Sequence, residues 1–248
     1  MQGLRVLFLS YRGWAKPVLE AVKRHPSVDK VVHVKSNKEY ENICRFFNSK
    51  NNTGLSLYLD QPLLPTEFYV DNEFKFDLVI LCGWSDEPDE DYVKDTLHIG
   101  VHCAEHDRYS HGSPLQNQII DGINHTKHRI FKAWYPELAL REYSHEVDLD
   151  MSGNMDDILE QMTVTSKALF NRFLDDYPNI TWLKWPESDE VKPRRKPEDS
   201  VITKEQLCNM TTKQMYDFFR CLESPYPNGC IKDDEGELYI ERVRWKKS

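Results

Sequence analysis

The residues best placed for chemistry lie between Ile99 and Gly122, in IGVHCAEHDRYSHGSPLQNQIIDG. A short apolar run ends at His102, a polar loop follows, and a helical pattern opens at Ser113 with Pro114 at its first position. An imidazole holds or moves a proton near neutral pH. A strand end facing a loop and a helix N-terminus is where α/β enzymes place such groups. Position alone favours a plainer alternative, a histidine that ends a strand in a satisfied hydrogen bond. Cys103 beside it could act as a nucleophile. Neighbours on a strand face opposite ways, so a packed thiol is the expectation. Gln116 and Asn117 fall on the first turns of the helix, one expected at a ligand and the other capping or facing solvent.

Further candidates follow other apolar runs. Tyr11, Arg12 and Trp14 come after Leu4–Ser10, and Gly83-Trp84-Ser85 come after Phe76–Cys82, the strongest strand pattern in the chain. Arginine can pair with a phosphate, and tryptophan can stack on a ligand or equally serve the core. Arg194, Arg195 and Lys196 form a local cation cluster that is either a phosphate contact or, more usually, a solvated linker face. Tyr226, in Pro225-Tyr226-Pro227, either packs on a ligand base or anchors a turn. His106, His111 and His125 have no metal-ligand spacing, and no metal site is expected.

These residues need elements to hold them. Near-continuous apolar runs at Leu4–Ser10 and Phe76–Cys82 suit strands buried on both faces. Asp29–Val34, Leu55–Leu59, Leu97–His102, Arg129–Trp134 and His145–Leu149 read as further strands. Helical spacing appears at Trp14–Lys23 with Val18, Leu19 and Val22 inward, at Lys38–Asn48 with Ile43, Phe46 and Phe47 inward, and at Asp89–Asp95. The longest helix is Asn154–Tyr177, with Ile158, Met162, Leu169 and Phe173 as its core stripe. Alternating strands and helices predict an α/β fold with a Rossmann-like, mostly parallel sheet. The expected division is a core at 1–185, a charged, proline-bearing linker at 186–200, and a small C-terminal helix-plus-hairpin α+β module at 201–248. In that module a helix covers Thr212–Leu222 and two strands flank the Asp233–Gly236 turn.

The chain has 248 residues and a net charge of −9, which argues against binding a nucleic-acid backbone. Its six cysteines form no CxxC pair and read as reduced thiols. The N-terminal MQGLRVLFLSYRGW lacks a signal-peptide pattern, and no apolar run reaches the ~18 residues of a membrane span. A cytoplasmic location with no membrane partner is therefore expected.

Taken in order, YRGWA (11–15), GWS (83–85), VHC (101–103), GSPLQNQIIDG (112–122), Thr126-Lys127, PRRKPEDS (193–200) and PYP (225–227) span almost the whole chain. The sequence so marked resembles the 10-formyltetrahydrofolate-dependent formyltransferases, in particular the nucleotide-sugar N-formyltransferases. The resemblance implies a folate bound near Trp84 and Ser85, with Tyr11, Arg12, Trp14, Gln116 and Tyr226 toward a nucleotide-linked amino sugar. It implies formyl transfer to the sugar amine, His102 as the catalytic acid or base, and a homodimer. The family pairs that histidine with an asparagine two residues before it and with a more distant aspartate.

Here the first position is Gly100 and the second is Ala139, with Glu137 as the substitute carboxylate and Glu142 as another candidate. Asp86-Glu87 stand where the family has a bulky apolar wall for the pterin. Arg108 or His111 could cover the charge of the family's arginine-rich loop. An acyl-CoA donor on the same scaffold, or a non-catalytic sugar-nucleotide-binding relative, are the alternatives these departures leave open.

Overall fold

Two apolar runs become the inner strands of the sheet in the computed structural model, which describes residues 3–48, 76–86, 96–110, 112–133 and 141–246. In β1 (Leu4–Leu9) Val6–Leu9 are buried, as is all of β3 (Leu78–Leu81). Branched and apolar side chains covered on both faces are what a parallel sheet demands. Strand β2 (Val28–Val34) and strand β4 (Leu97–Cys103) lie on either side of this pair. β1 pairs in parallel with β2 and β3, and β3 in parallel with β4. β5 (His125–Lys132), β6 (Glu142–Asp150) and β7 (Leu183–Lys184) complete a seven-stranded mixed sheet. Its order is β2-β1-β3-β4-β5-β6-β7, and β7 runs antiparallel to β6. This is the α/β architecture with a mostly parallel core that the sequence pattern predicts.

Register decides what meets at the sheet edge. Leu9 pairs with Leu81, and Leu81 pairs with Gly100. Two residues on from these pairs, Tyr11 and Gly83 follow the ends of β1 and β3 and His102 lies near the end of β4, all at the same C-terminal edge. Ligands of α/β sheets bind beyond that edge.

The chain divides into two compact units, each discontinuous in sequence. The first comprises Met1–His102, Arg129–Glu146 and Ser166–Lys184; the second comprises Cys103–His128, Val147–Thr165 and Trp185–Ser248. In the first, a 3-10 turn at Gly13–Ala15 leads into α1 (Lys16–Lys23), which buries Val18, Leu19 and Val22 as its spacing requires. Helix α2 (Asn37–Asn48) buries Tyr40, Ile43 and Cys44.

The second unit contains α3 (Pro114–Ile120) and a three-stranded sheet in the order β10-β9-β8. Strand β8 (Val201–Thr203) runs parallel to β9 (Gly229–Lys232), and β10 (Glu237–Ile240) returns antiparallel through the Asp233–Gly236 turn. Helices α5 (Lys204–Cys208) and α6 (Thr212–Arg220) each open on a Thr-x-x-Gln capping box, at Thr203 and Thr211. Buried Arg220 donates to Asp217, to the carbonyls of Met151 and Gly153, and to Oδ1 of Asn124. Helix α4 (Met155–Asp176) passes through both units and buries its Ile158, Met162, Leu169 and Phe173 stripe.

The structure differs from or adds to the expectation in three places. The strand expected at Arg129–Trp134 is β5 at His125–Lys132, and its buried run His128–Phe131 does not alternate. Arg129 is buried, with its Nε donating to Glu146 at 2.8 Å and its guanidinium over the Tyr143 ring at 4.3 Å. The 186–200 stretch is hydrogen-bonded to the segments it passes. The Asp107 amide donates to Pro186 O at 3.0 Å, the Lys192 amide to Arg108 O at 2.7 Å, and Arg195 N to Ser113 Oγ at 3.2 Å. Two of its charges are paired with other segments, Glu190 with Arg108 and Lys192 with Asp121. Third, β8 and α5 were not read from the sequence, being too short to show a period. The strand read at Leu55–Leu59 and the helix read at Asp89–Asp95 lie outside the described residues.

Candidate functional site

The ends of β1 and β3 bring five of the candidate residues together. Gly83 turns with φ +67, in the left-handed region, and approaches Arg12 so closely that an added Cβ would sit 2.8 Å from Arg12 Cβ. That approach fixes the 11–14 turn against Trp84. The Tyr11 and Trp84 rings lie 5.2 Å apart, the Tyr11 hydroxyl and the Ser85 Oγ form a short hydrogen bond, and the Ser85 amide donates to the Tyr11 oxygen at 3.0 Å. Arg12 lies over the Tyr11 ring at 5.4 Å, and Trp14 is half-buried beside Gly83.

Trp84 is 8% exposed, yet its indole N–H meets no hydrogen-bond acceptor among the described residues. A buried donor left unmade carries a penalty that a ligand acceptor would remove. Behind it, the Tyr40 ring packs edge-on at 6.1 Å and the Tyr40 hydroxyl lies 3.2 Å from Nε2 of buried His98. His98 Nδ1 lies 2.8 Å from the Thr96 carbonyl, which can only accept, so Nδ1 carries the proton and Tyr40 donates to Nε2. This buried support was not read from the sequence. Only the polar residues at 40 and 98 within apolar patterns could have signalled it.

His102 is half-buried at the end of β4, with its ring edge-to-face against Phe131 of β5 at 6.4 Å. Cys103 is fully buried, and burial pushes its thiol up to about 12, so it is a packed thiol rather than a nucleophile. Glu137 and Ala139 lie outside the described residues, as does His111. Glu142 pairs with Lys132 at 3.6 Å.

Gln116 and Tyr226 belong to the second unit, on separate elements. Neither Gln116 nor Asn117 faces solvent: both are buried, and Asn117 Nδ2 donates to Pro193 O at 3.0 Å. Burial follows from the 186–200 stretch lying on that helix, which local spacing could not show. Gln118 ties α3 to the end of β4 through Nε2, which donates to Cys103 O at 2.6 Å and to Pro114 O at 2.9 Å. Tyr226 is half-exposed on a turn closed by its amide donating to Glu223 O at 3.0 Å. In the cation cluster, Arg195 donates to Asp199 O and Arg194 packs on Gly112, so these side chains have a structural part to play. Among the described residues no group of three or more His, Cys, Asp or Glu is arranged to hold a metal ion. No described helix is long and apolar enough to cross a membrane.

Solved structures of formyltransferases share this fold, a seven-stranded, mostly parallel sheet with a small second sheet. The methionyl-tRNA formyltransferase of Clostridium thermocellum superposes with a TM-score of 0.72 at 19% identity, over 98% of this chain and 94% of that one. A 4-N formyltransferase from Francisella tularensis superposes with a TM-score of 0.69 at 16% identity, over the full length of both. HypX of Aquifex aeolicus, solved in complex with tetrahydrofolic acid, matches with a TM-score of 0.65 at 14% identity, over 97% of this chain and 38% of its own. No protein-family model matches the sequence, and no curated protein sequence matches it significantly.

Proposed function

We propose that this chain moves a formyl group from 10-formyltetrahydrofolate to the amino group of a nucleotide-linked amino sugar, in the cytoplasm and as a homodimer. The observation that carries the reading is the cluster of Tyr11, Arg12, Trp14, Trp84 and Ser85 on the sheet edge that ends at His102. Its placement on a fold shared with sugar N-formyltransferases supports the same reading.

The residues present fit a folate. Trp84 has a buried N–H with no acceptor among the described residues, as a ring acceptor would require, and the Tyr11 ring, 39% exposed, lies beside it. When bound, the folate supplies the formyl carbon. His102 takes the proton that the attacking amine must lose, and Glu137 orients or relays for it. Arg12 is the phosphate partner. For Gln116 and Tyr226, in the second unit, KM for the sugar in Gln116→Ala and in Tyr226→Phe tests a substrate role, each by itself.

Thermal shift with folate derivatives, acyl-CoAs and nucleotide-linked amino sugars tests the reading, followed by assay of formylated product. A folate response, with product lost in His102→Asn, is expected. A coenzyme A response without a folate response replaces the donor. Sugar-nucleotide binding with no turnover from any donor refutes transfer and leaves a binding protein.

A further inference from the structure

We propose that Phe131 is the positioning residue of the His102 site, and that its ring takes the space a side chain at position 100 would need. The proposal rests on the proton-handling role given to His102 above. A Cβ built on Gly100 would lie 2.5 Å from Phe131 Cε1, 2.6 Å from Phe131 Cζ and 3.1 Å from Leu81 O. The first two distances are shorter than packed carbon atoms tolerate. The clashing atoms are the tip of the ring, and Phe131 is 6% exposed, on β5, the strand next to β4 in the sheet, so the ring has to shift within packed surroundings to admit a Cβ.

Gly100 sits inside a regular strand, paired with Leu81, and no left-handed conformation demands glycine there. What demands glycine is the ring across the strand. The same ring meets His102 edge-to-face, at 86° between planes. One aromatic side chain therefore does two things. It closes the volume from which a side chain at 100 would reach the reacting carbonyl, and it limits the rotation of the His102 imidazole. Gly100 and Phe131 are a coupled pair: the ring occupies the volume into which a side chain at position 100 would extend. Donation to the developing oxyanion then falls to His102 or to a backbone N–H rather than to residue 100.

Three measurements decide this, and two of them need no activity. In a double-mutant cycle, Gly100→Ala lowers Tm in the native background and lowers it less when Phe131 is already alanine. Equal losses in both backgrounds overturn the competition for volume. In NMR spectra, with the His102 ring signals assigned by their loss in His102→Asn, those signals move in Phe131→Leu, which keeps apolar bulk without the ring. Unmoved signals overturn the positioning role. In the transfer assay, Phe131→Leu lowers kcat between about 10- and 100-fold with KM unchanged. A change in KM alone makes Phe131 a ligand wall and overturns the proposal. If the native protein transfers nothing to any acceptor, the transferase reading fails, while the melting and NMR results still decide for or against Phe131.

Discussion

Replacing Gly83 by alanine tests the idea that the close approach of the 83–85 turn to Arg12 builds the ligand cluster. Two effects add. An L-residue held at φ +67 costs about 1–2 kcal/mol. Loss of the glycine's freedom in the unfolded chain offsets about 0.4–1 kcal/mol of that. The new Cβ also meets Arg12 Cβ at 2.8 Å, Arg12 Cγ at 2.9 Å and Trp14 Cζ2 at 3.3 Å. Because Arg12 Cβ is anchored to the backbone, the clash cannot be relieved by turning a side-chain tip, and overpacking of this kind costs about 1–3 kcal/mol.

Gly122 supplies the control, with φ +82 and nothing within 4 Å of an added Cβ. Gly122→Ala therefore carries the backbone term alone. Urea unfolding of both variants is expected to show Gly83→Ala less stable than Gly122→Ala by about 1–3 kcal/mol. Thermal shift with a folate is expected to weaken in Gly83→Ala and to stay intact in Gly122→Ala, since only the first pushes Arg12 and Trp14 away from Trp84. Equal destabilisation within about 0.5 kcal/mol, or an unaltered folate response in Gly83→Ala, refutes the reasoning.

Other consequences are open to measurement. Arg220→Met leaves Asp217 paired with Lys213 but takes the donor from the Met151 and Gly153 carbonyls and from Asn124 Oδ1, and should lower unfolding free energy by about 1–3 kcal/mol, read by chemical denaturation. Of the free cysteines Cys208 is exposed and the other five are buried, so mass spectrometry after brief treatment with a thiol reagent should find Cys208 modified and Cys103 untouched until denaturation. Burial holds the His33 imidazole below its ordinary 6.5, against the opposing hydrogen bond to Ser10 O. The unfolded chain therefore binds the proton at higher pH, and this histidine's contribution to stability is present above pH 6.5 and is lost as pH falls through the lower folded value. His33→Gln should flatten that part of the stability–pH curve.

Much was legible because it is local. Apolar runs marked β1, β3 and β4, the spacing of Val18, Leu19 and Val22 marked the buried face of α1, and Ser113-Pro114 marked the start of α3. Strand ends and turn glycines then pointed to Tyr11, Trp84 and His102 as residues of one sheet edge, which the register of Leu9, Leu81 and Gly100 bears out. What the sequence could not supply were contacts between residues far apart in the chain. Gly100 read as a lost side chain, and only the sheet placed the Phe131 ring against it. Tyr40 and His98 are 58 residues apart, and a hydrogen bond across that interval leaves no periodic trace. The 186–200 charges carry no sign of their partners, and only the fold set Glu190 on Arg108 and Lys192 on Asp121. Composition and period report which face of an element is apolar; which partner fills that face depends on how strands from distant parts of the chain are ordered in the sheet.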